Sequence, residues 1–94
     1  MANVIQAGVM ILDTTGVVTS NQYLVTGFRY VSSGAAAGDE CKIQDNAGTP
    51  RTWFDSFATG ADWEDAQTIN TGGIMMNGVK LTTLTSGTAY VYFK

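Results

Sequence analysis

Three carboxylates lie close together in the sequence: Asp62, Glu64 and Asp65 form its densest acidic group. A pair of carboxylates roughly 5–10 Å apart can hydrolyse a glycosidic bond. Carboxylate oxygens also bind Ca²⁺, although a good site needs about six to eight oxygen ligands, and the spacing here matches no EF-hand loop. The pattern favours a solvated acidic loop, leaves a weak cation site at these residues as the alternative, and favours catalysis least.

Composition excludes nucleophilic catalysis by a histidine-activated group. The chain contains no histidine, so it lacks the base of the Ser–His–Asp and Cys–His arrangements. Its one cysteine, Cys41, alternates with Ile43 and is predicted to be a small buried hydrophobic residue. A single cysteine forms no internal disulfide. We expect a protein that is not an enzyme and that binds no cofactor.

Large apolar side chains supply the candidates for a protein–protein interface. These candidates are Trp63, Met75, Met76, Tyr90 and Tyr92. Trp63 is predicted to lie in the acidic loop, where a tryptophan offers a large contact area at low cost in entropy. Adjacent residues of a strand face opposite ways, so one methionine is expected in the core and the other exposed or covered by a partner. Trp53 is instead predicted to pack in the core or between sheets.

Short β-rich segments separated by Gly, Asn, Asp and Thr make up the chain. Alternation of residues with a period of two predicts the main strands at Val4–Leu12, Tyr23–Val31, Glu40–Gln44, Thr52–Phe57, Val79–Leu84 and Ala89–Lys94. Shorter candidates are Val17–Thr19, Ala66–Ile69 and Gly73–Met76. No helical period is present. The sequence therefore predicts one all-β domain over residues 1–94, a small antiparallel sandwich or barrel of about seven or eight short strands.

Glycine and asparagine positions predict how these strands connect. Asp13–Gly16 is a predicted turn, because Asp bonds forward to the backbone and Gly accepts a positive φ. Asp45–Gly48 predicts a hairpin with a type I turn followed by a glycine in the left-handed region. Asn77-Gly78 is the two-residue signal of a type I′ hairpin.

Other local signals concern a bulge, a helical turn and the two faces of a strand. Gly8 is interpreted as a bulge in the first strand. Ala61–Gln67 is long enough for a single helical turn only. Apolar residues on both faces of Tyr23–Val31 predict a central strand, with Val25 on the face opposite Phe28.

Charge limits the classes of partner. The net charge is −3, and the five basic residues are scattered, so no cluster could neutralise several phosphates of a nucleic acid. Charged residues are 14% of the chain, against about 25% in an ordinary soluble domain. This deficit fits a Thr-rich solvent face or a surface covered by neighbouring subunits. No stretch reaches the ~18–20 apolar residues of a membrane span. With no export signal recognised, we expect synthesis and folding in the cytoplasm.

The region from Tyr23 to Lys94 has a characteristic order of turn and strand segments. Gly34–Asp39 leads into a strand, Asp45–Gly48 leads to an aromatic strand with Trp53, and an acidic stretch precedes Asn77-Gly78-Val79. The chain closes with Leu84-Thr85-Ser86-Gly87-Thr88-Ala89-Tyr90-Val91-Tyr92-Phe93-Lys94. This pattern resembles a class of small virion proteins of tailed bacteriophages, including phages of marine bacteria and cyanobacteria. The resemblance implies a β-sandwich structural component of a phage particle and carries over no catalytic residue.

Together, these expectations predict a capsid decoration or cement protein located in the virion. Its partners would be the major capsid protein, copies of itself, or both, and a homo-oligomer such as a trimer would fit. The strand Ala89–Lys94, if it lies at a sheet edge, could extend the sheet of a neighbour. The alternatives are a component of the tail or head–tail joint, and a carbohydrate- or receptor-binding module in which Trp63 and the acidic loop form a Ca²⁺-assisted sugar site.

Overall fold

Eight antiparallel strands build the chain, which confirms the all-β prediction. The structure, a computed structural model, describes residues 3–69 and 72–94. The strands are β1 (Val4–Gln6), β2 (Val9–Leu12), β3 (Gly16–Ser33), β4 (Glu40–Gln44), β5 (Thr52–Phe57), β6 (Asp62–Thr68), β7 (Ile74–Leu84) and β8 (Thr88–Phe93). Within these residues there is no helix that could span a membrane.

The long strand β3 organises the sheet, because it pairs with three other strands. Its first part, Gly16–Val25, pairs with β7, and its second part pairs with β8 on one side and β6 on the other. The strand order is β1-β2-β8-β3-β7-β4-β5, with β6 attached to β3. A register irregularity between Val25 and Gly27 lies where the partners change. An irregularity of this kind bends a strand, so β3 passes from one layer into the other.

The two layers share one core. All eight strands belong to one hydrogen-bonded sheet, and we divide it at the irregularity in β3 into two layers. We call β1, β2, β8, β6 and the second part of β3 the tyrosine layer, and β7, β4, β5 and the first part of β3 the hairpin layer. The ring of Phe28 in the tyrosine layer stacks on that of Phe54 in the hairpin layer, with centroids 5.6 Å apart. The buried cluster consists of Met10, Leu12, Val25, Phe28, Tyr30, Cys41, Ile43, Phe54, Met76, Val79, Leu81, Ala89 and Val91.

Several predicted strand boundaries are wrong in an instructive way. The predicted strand Val4–Leu12 is a hairpin, because Gly8 has a φ of 84° and occupies a turn rather than a bulge. The segments Val17–Thr19 and Tyr23–Val31 belong to the single strand β3. Its central position is confirmed, but the irregularity after Val25 brings that residue into the core together with Phe28.

Asn77-Gly78 forms no hairpin turn, because both residues lie inside β7. Gly78 has a φ of 83°, and a Cβ there would lie 2.7 Å from the carbonyl oxygen of Thr19. The register with β3 shifts between Thr19 and Gln22 at the same place. Between these two paired positions β3 has two residues, Ser20 and Asn21, where β7 has only Gly78, so the bulge lies in β3 and Gly78 is the residue opposite it.

The predicted hairpin at Asp45–Gly48 is confirmed by the antiparallel pairing of β4 with β5, whereas three further details of turns and edges differ from the predictions. Residues 45–51 do connect β4 and β5, but Gly48 does not have a positive φ. The acidic segment is neither a loop nor a helical turn, since Asp62–Thr68 forms β6 and pairs with β3 over Gly27–Ser33. Strand β8 lies between β2 and β3, so its backbone groups are already paired and it cannot extend a neighbour's sheet.

Candidate interaction surface

The outer surface of the tyrosine layer is apolar and aromatic. Directly opposite residues of paired strands lie on the same face. The register aligns Val9 with Tyr92, and Ile11 with Tyr90 and then Arg29, across β2, β8 and β3. We call these five outward-facing residues the tyrosine face. Each of them is half-buried, so part of each residue remains in contact with solvent.

Ring contacts order the centre of the tyrosine face. The Tyr90 and Tyr92 rings stack with centroids 6.5 Å apart and an interplanar angle of 13°. The Arg29 guanidinium carbon lies 5.6 Å from the Tyr90 ring centroid, within the range of a cation–π interaction. Arg29 also pairs with Glu64 on β6. Hydrogen bonds with Tyr92 and Glu64 raise the pKa of Arg29 above its usual value, so the face carries a permanent positive charge beside two phenol rings.

An open cavity of about 310 Å³ borders the tyrosine face. It forms at Gly27, because glycine has no side chain to fill the space between the Tyr92 ring and the backbone of Gln67. A Cβ at Gly27 would lie 3.8 Å from the Tyr92 ring and 3.0 Å from the Gln67 oxygen. Thr68 and Lys94 also line it. We call this cavity the Gly27 notch; it combines one aromatic wall with amide, hydroxyl and ammonium groups.

Tyr90 and Tyr92 are the interface candidates that the structure places together, whereas the other three lie apart from them. Trp63 is on β6 rather than in a loop, is half-buried against the core, and donates from Nε1 to Ser56 Oγ at 3.1 Å. It is therefore a packing residue and not an exposed contact. Met76 is fully buried while Met75 is 58% exposed, which confirms that one methionine lies in the core and removes Met76 from any surface.

The three carboxylates of the acidic segment do not converge. Asp62 and Glu64 lie opposite Ser33 and Val31 of β3, on the outer face, whereas Asp65 lies opposite the buried Tyr30. Alternation along a strand turns neighbouring side chains to opposite faces. Within residues 3–69 and 72–94, no group of three His, Cys, Asp or Glu residues is arranged to hold a metal ion. The weak cation site predicted from the sequence is thus not formed.

Cys41 and Trp53 are both predicted to pack inside the fold, and the structure buries them to different extents. Cys41 is fully buried, as predicted, and burial raises the pKa of its thiol to about 12, so it is protonated at neutral pH. On β5 the more deeply buried aromatic is Phe54, which is 4% exposed, rather than Trp53. Trp53 packs at the edge of the core and donates from Nε1 to Asp45 Oδ2 at 3.3 Å.

A polar cluster around Ser86 is the nearest approach to a catalytic arrangement. Ser86 Oγ donates to Asp39 Oδ2 at 2.8 Å and lies 2.8 Å from Ser32 Oγ and 3.3 Å from the Tyr30 hydroxyl. With its own proton given to Asp39, Ser86 accepts from the other two hydroxyls. The cluster has no histidine to take a proton from Ser86, and it ties the turn before β8 to β3.

Sequence reasoning missed Val9, Ile11 and Arg29 as parts of this surface. The sequence pattern predicts Val9 and Ile11 within a single long strand and shows Arg29 only as one of several scattered cations. The signal that could have found Arg29 is its position next to the apolar Phe28 and Tyr30, which forces it onto the outer face. Its position beside Tyr90 depends on the β3–β8 register, which is not local in sequence.

Comparison with known proteins gives no relative for this chain: no protein-family model, curated protein or solved structure matches it.

Proposed function

We propose that this chain is a non-enzymatic structural protein of a bacteriophage particle, a capsid decoration protein that binds the major capsid protein through the tyrosine face. The observation that carries the proposal is the composition of this face, which presents two tyrosines, two aliphatic residues and one arginine from three adjacent strands. Tyrosine and arginine are enriched in the cores of protein interfaces, and other charged residues are depleted there.

The geometry of the tyrosine face supports a role in docking. Its tyrosines have two flexible side-chain torsions each, and the stacking of Tyr90 on Tyr92 restricts both rings before any partner binds. Arg29 is held beside them by Glu64. Side chains that are already ordered lose little entropy on association, so more of the contact energy contributes to affinity.

The resemblance to virion proteins gives the class of partner. The residues that carry it include the Asp45–Gly48 connection, Trp53, the Asn77-Gly78 pair and the C-terminal strand with both tyrosines. In the proposed complex, Tyr90 and Tyr92 lie against the outer surface of the shell. Many copies on one shell would each cover a joint between capsid subunits, and symmetry would multiply a modest contact into a large total stabilisation.

Binding to purified empty phage shells tests the proposal. Labelled protein is expected to saturate a fixed number of sites on expanded shells and to raise their melting temperature. Tyr90→Ala and Tyr92→Ala are each expected to weaken binding roughly 10- to 100-fold, as tyrosines at interface centres do. Phe57→Ala and Met75→Ala are matched controls, because both remove large exposed side chains (52% and 58% exposed) outside the tyrosine face.

The outcomes of the shell experiment separate the proposal from its rival. Saturable binding that is lost in the tyrosine variants and kept in the controls supports decoration. Binding to tails or to head–tail connectors alone would replace it with the tail or joint function. Circular dichroism of each variant checks that the fold is retained.

The Gly27 notch favours one second candidate, a carbohydrate-binding module. Its Tyr92 ring could stack on a sugar, and Gln67 and Thr68 offer polar groups at the wall. This site replaces the sugar site expected around Trp63, which is half-buried against the core. A glycan-binding screen with wild type and Tyr92→Ala, with and without calcium, tests it, and no bound glycan in the wild-type screen would remove this candidate.

A further inference from the structure

We infer that Asn77-Gly78 is a site of spontaneous deamidation that the fold keeps closed and that reacts when the first part of β7 opens. The inference does not depend on the proposed phage function. Asn77 is the only asparagine of the sequence that is followed by glycine. An asparagine before glycine reacts readily, because glycine has no side chain to obstruct attack by its backbone nitrogen and reaches conformations closed to other residues.

The reaction needs only these two residues and water. The backbone nitrogen of Gly78 loses its proton and attacks Cγ of Asn77, so that a new N–C bond forms. The bond from Cγ to Nδ2 then breaks, and the side-chain nitrogen leaves as ammonia, taking up one proton in place of the one that Gly78 lost. Water hydrolyses the resulting succinimide ring. Attack at the side-chain carbonyl gives aspartate, and attack at the backbone carbonyl gives isoaspartate.

The side chain of Asn77 lies at the surface but is held in place. Asn77 on β7 and Gln22 on β3 are directly opposite each other, and both are exposed. Gln22 Nε2 donates to Asn77 Oδ1 at 2.6 Å. An amide that is held across to β3 is not free to turn onto the Gly78 nitrogen of its own strand. This bond must therefore break before the ring closes.

The backbone around Asn77 is held as well. Its carbonyl oxygen accepts from the Asn46 N–H at 3.0 Å, and its pairing with Gln22 keeps it in the β3–β7 ladder. A succinimide ring forces a ψ at the asparagine that lies outside the extended range of a strand. The folded state thus holds the two reacting atoms in an unproductive arrangement, and the reaction requires local opening.

The first part of β7 has fewer strand partners than the second. Within residues 3–69 and 72–94, the segment Ile74–Asn77 pairs with β3 alone, whereas Lys80 and Leu81 pair with both β3 and β4. Local opening costs least where few contacts hold a strand. Met76 is fully buried in this segment and resists opening. The open state is therefore accessible but sparsely populated.

Formation of isoaspartate makes the opening permanent. Isoaspartate adds one methylene group to the main chain of β7. The backbone has no room for it, because even a Cβ at Gly78 would lie 2.7 Å from the Thr19 oxygen and 2.8 Å from Asn46 Cβ. The aspartate product differs, because it keeps the original main chain and an oxygen that accepts from Gln22. It can return to the ladder.

Peptide mass spectrometry of the full chain tests the protection by the fold. Wild type is incubated at mildly alkaline pH, once folded and once unfolded in guanidinium chloride, and the modified fraction at Asn77 is followed over time. The folded protein is expected to react at least about 10-fold more slowly, because a paired strand is open for only a small fraction of the time. Equal rates in the two states, or no product in the unfolded chain, would overturn the inference.

Gln22→Ala tests the role of the side-chain bond. Removal of one hydrogen bond should raise the rate in the folded state about 2- to 5-fold and leave the rate in the unfolded state unchanged. Gln6→Ala is the matched control, since Gln6 is also an exposed glutamine, on a strand that pairs with β2. It should react at the wild-type rate. If Gln22→Ala reacts no faster than Gln6→Ala, the side-chain bond does not protect the site.

Hydrogen exchange tests the permanence of the opening. The isoaspartate form, separated by chromatography, should lose amide protection over Ile74–Val79, whereas Asn77→Asp, which has the main chain of the aspartate product, should keep it. Wild-type protection in the isoaspartate form would contradict this part of the inference. None of these results bears on the shell-binding proposal, because that experiment uses substitutions on the tyrosine face, and Asn77 lies on the hairpin layer.

Discussion

The outer faces of the two layers differ sharply, although their inner faces form one core. The tyrosine layer presents Val9, Ile11, Tyr90 and Tyr92, with Arg29 as the cation among them. On the hairpin layer, β4, β5 and β7 turn charged and polar side chains outward: Glu40, Lys42, Gln44, Asp55 and Lys80. Two exposed apolar side chains, Phe57 and Met75, share this outer face. A solvated face needs polar groups, whereas a face that docks on a partner benefits from their depletion. The tyrosine layer is not free of charge, because Asp62 and Glu64 on β6 share its outer face, but the tyrosine face itself includes only Arg29.

The largest expected effect is a loss of stability on substitution in the core that the two layers share. Phe28 and Phe54 come from different layers, stack on each other and are almost fully buried. Phe28→Ala and Phe54→Ala should each lower the free energy of unfolding by about 3–5 kcal/mol, since each removes core contacts and leaves a cavity. Urea unfolding followed by tryptophan fluorescence measures this loss.

The double variant shows whether the two rings form one contact. Because they share a contact, the loss in the double variant should be smaller than the sum of the single losses. Where an alanine variant does not fold, the corresponding leucine variant provides the measurement. Strictly additive losses, or a small loss at one ring alone, would mean that the layers do not share a core at this point.

The next effect compares one glycine in each layer. Gly78 in the hairpin layer has a φ of 83°, and a Cβ would lie 2.7 Å from the Thr19 oxygen. Gly27 in the tyrosine layer has no positive φ, and its nearest neighbour would be the Gln67 oxygen at 3.0 Å. Gly78→Ala should therefore cost about 2–3 kcal/mol from backbone strain and crowding, and Gly27→Ala less than about 1 kcal/mol.

Thermal unfolding of the two alanine variants, measured together with wild type, checks this difference. The reverse order would show that the tyrosine layer, at the Gly27 notch, is the more tightly constrained of the two. Equal and small losses would show that β7 can relax opposite the β3 bulge without cost. Either result would alter the description of β7 as fixed by Gly78.

Local sequence predicted the composition of the sheet but not its connections. Alternation identified Glu40–Gln44, Thr52–Phe57 and the C-terminal strand, because the period of two reports directly on the two faces of a strand. The glycine positions predicted the wrong local structure, because a glycine with positive φ occurs both in turns and at bulges. Gly8 is predicted to form a bulge but lies in a turn, and Gly78 is predicted to form a turn but lies inside β7, opposite a bulge in β3.

The candidate surface was predictable only in part for a related reason. Tyr90 and Tyr92 follow from alternation with the buried Ala89 and Val91. Their neighbours come from β2 and β3, distant in sequence, and depend on register. Trp63 was misplaced because the acidic residues around it suggested a loop, whereas pairing with β3 along its whole length makes the segment a strand.

The smallest expected effect is the pH dependence that the hairpin layer confers. Asp45, at the end of β4, accepts from the Arg51 N–H at 3.0 Å and from Trp53 Nε1 at 3.3 Å. The Arg51 bond above all, with help from Trp53 and Ala47 and against the effect of burial, holds the pKa of Asp45 below its usual 3.8. Glu40 behaves oppositely, because a hydrogen bond with Asp55 and burial raise its pKa above the usual 4.5.

These two groups give the stability curve a predictable shape. A depressed carboxyl pKa adds stability that is complete above the unfolded-state value and is lost as pH falls through the folded-state value. Asp45 should therefore destabilise the fold progressively below about pH 3.8. A raised carboxyl pKa acts the other way, so Glu40 should lower stability as pH rises through and above 4.5. The most stable pH should lie between these two transitions.

Asp45→Asn tests the acidic side of that curve. The amide cannot reproduce a carboxylate that accepts several N–H bonds, so at pH 7 the variant should be less stable by about 1–2 kcal/mol. The difference from wild type should shrink below pH 3.8 as Asp45 becomes protonated. Trp53→Phe removes one donor and keeps the carboxylate, so its loss should be smaller and should shrink over the same range. A loss in Asp45→Asn that is constant with pH would mean that the charge of Asp45 contributes nothing, and that the hairpin layer differs from the tyrosine layer in composition but not in its response to acid.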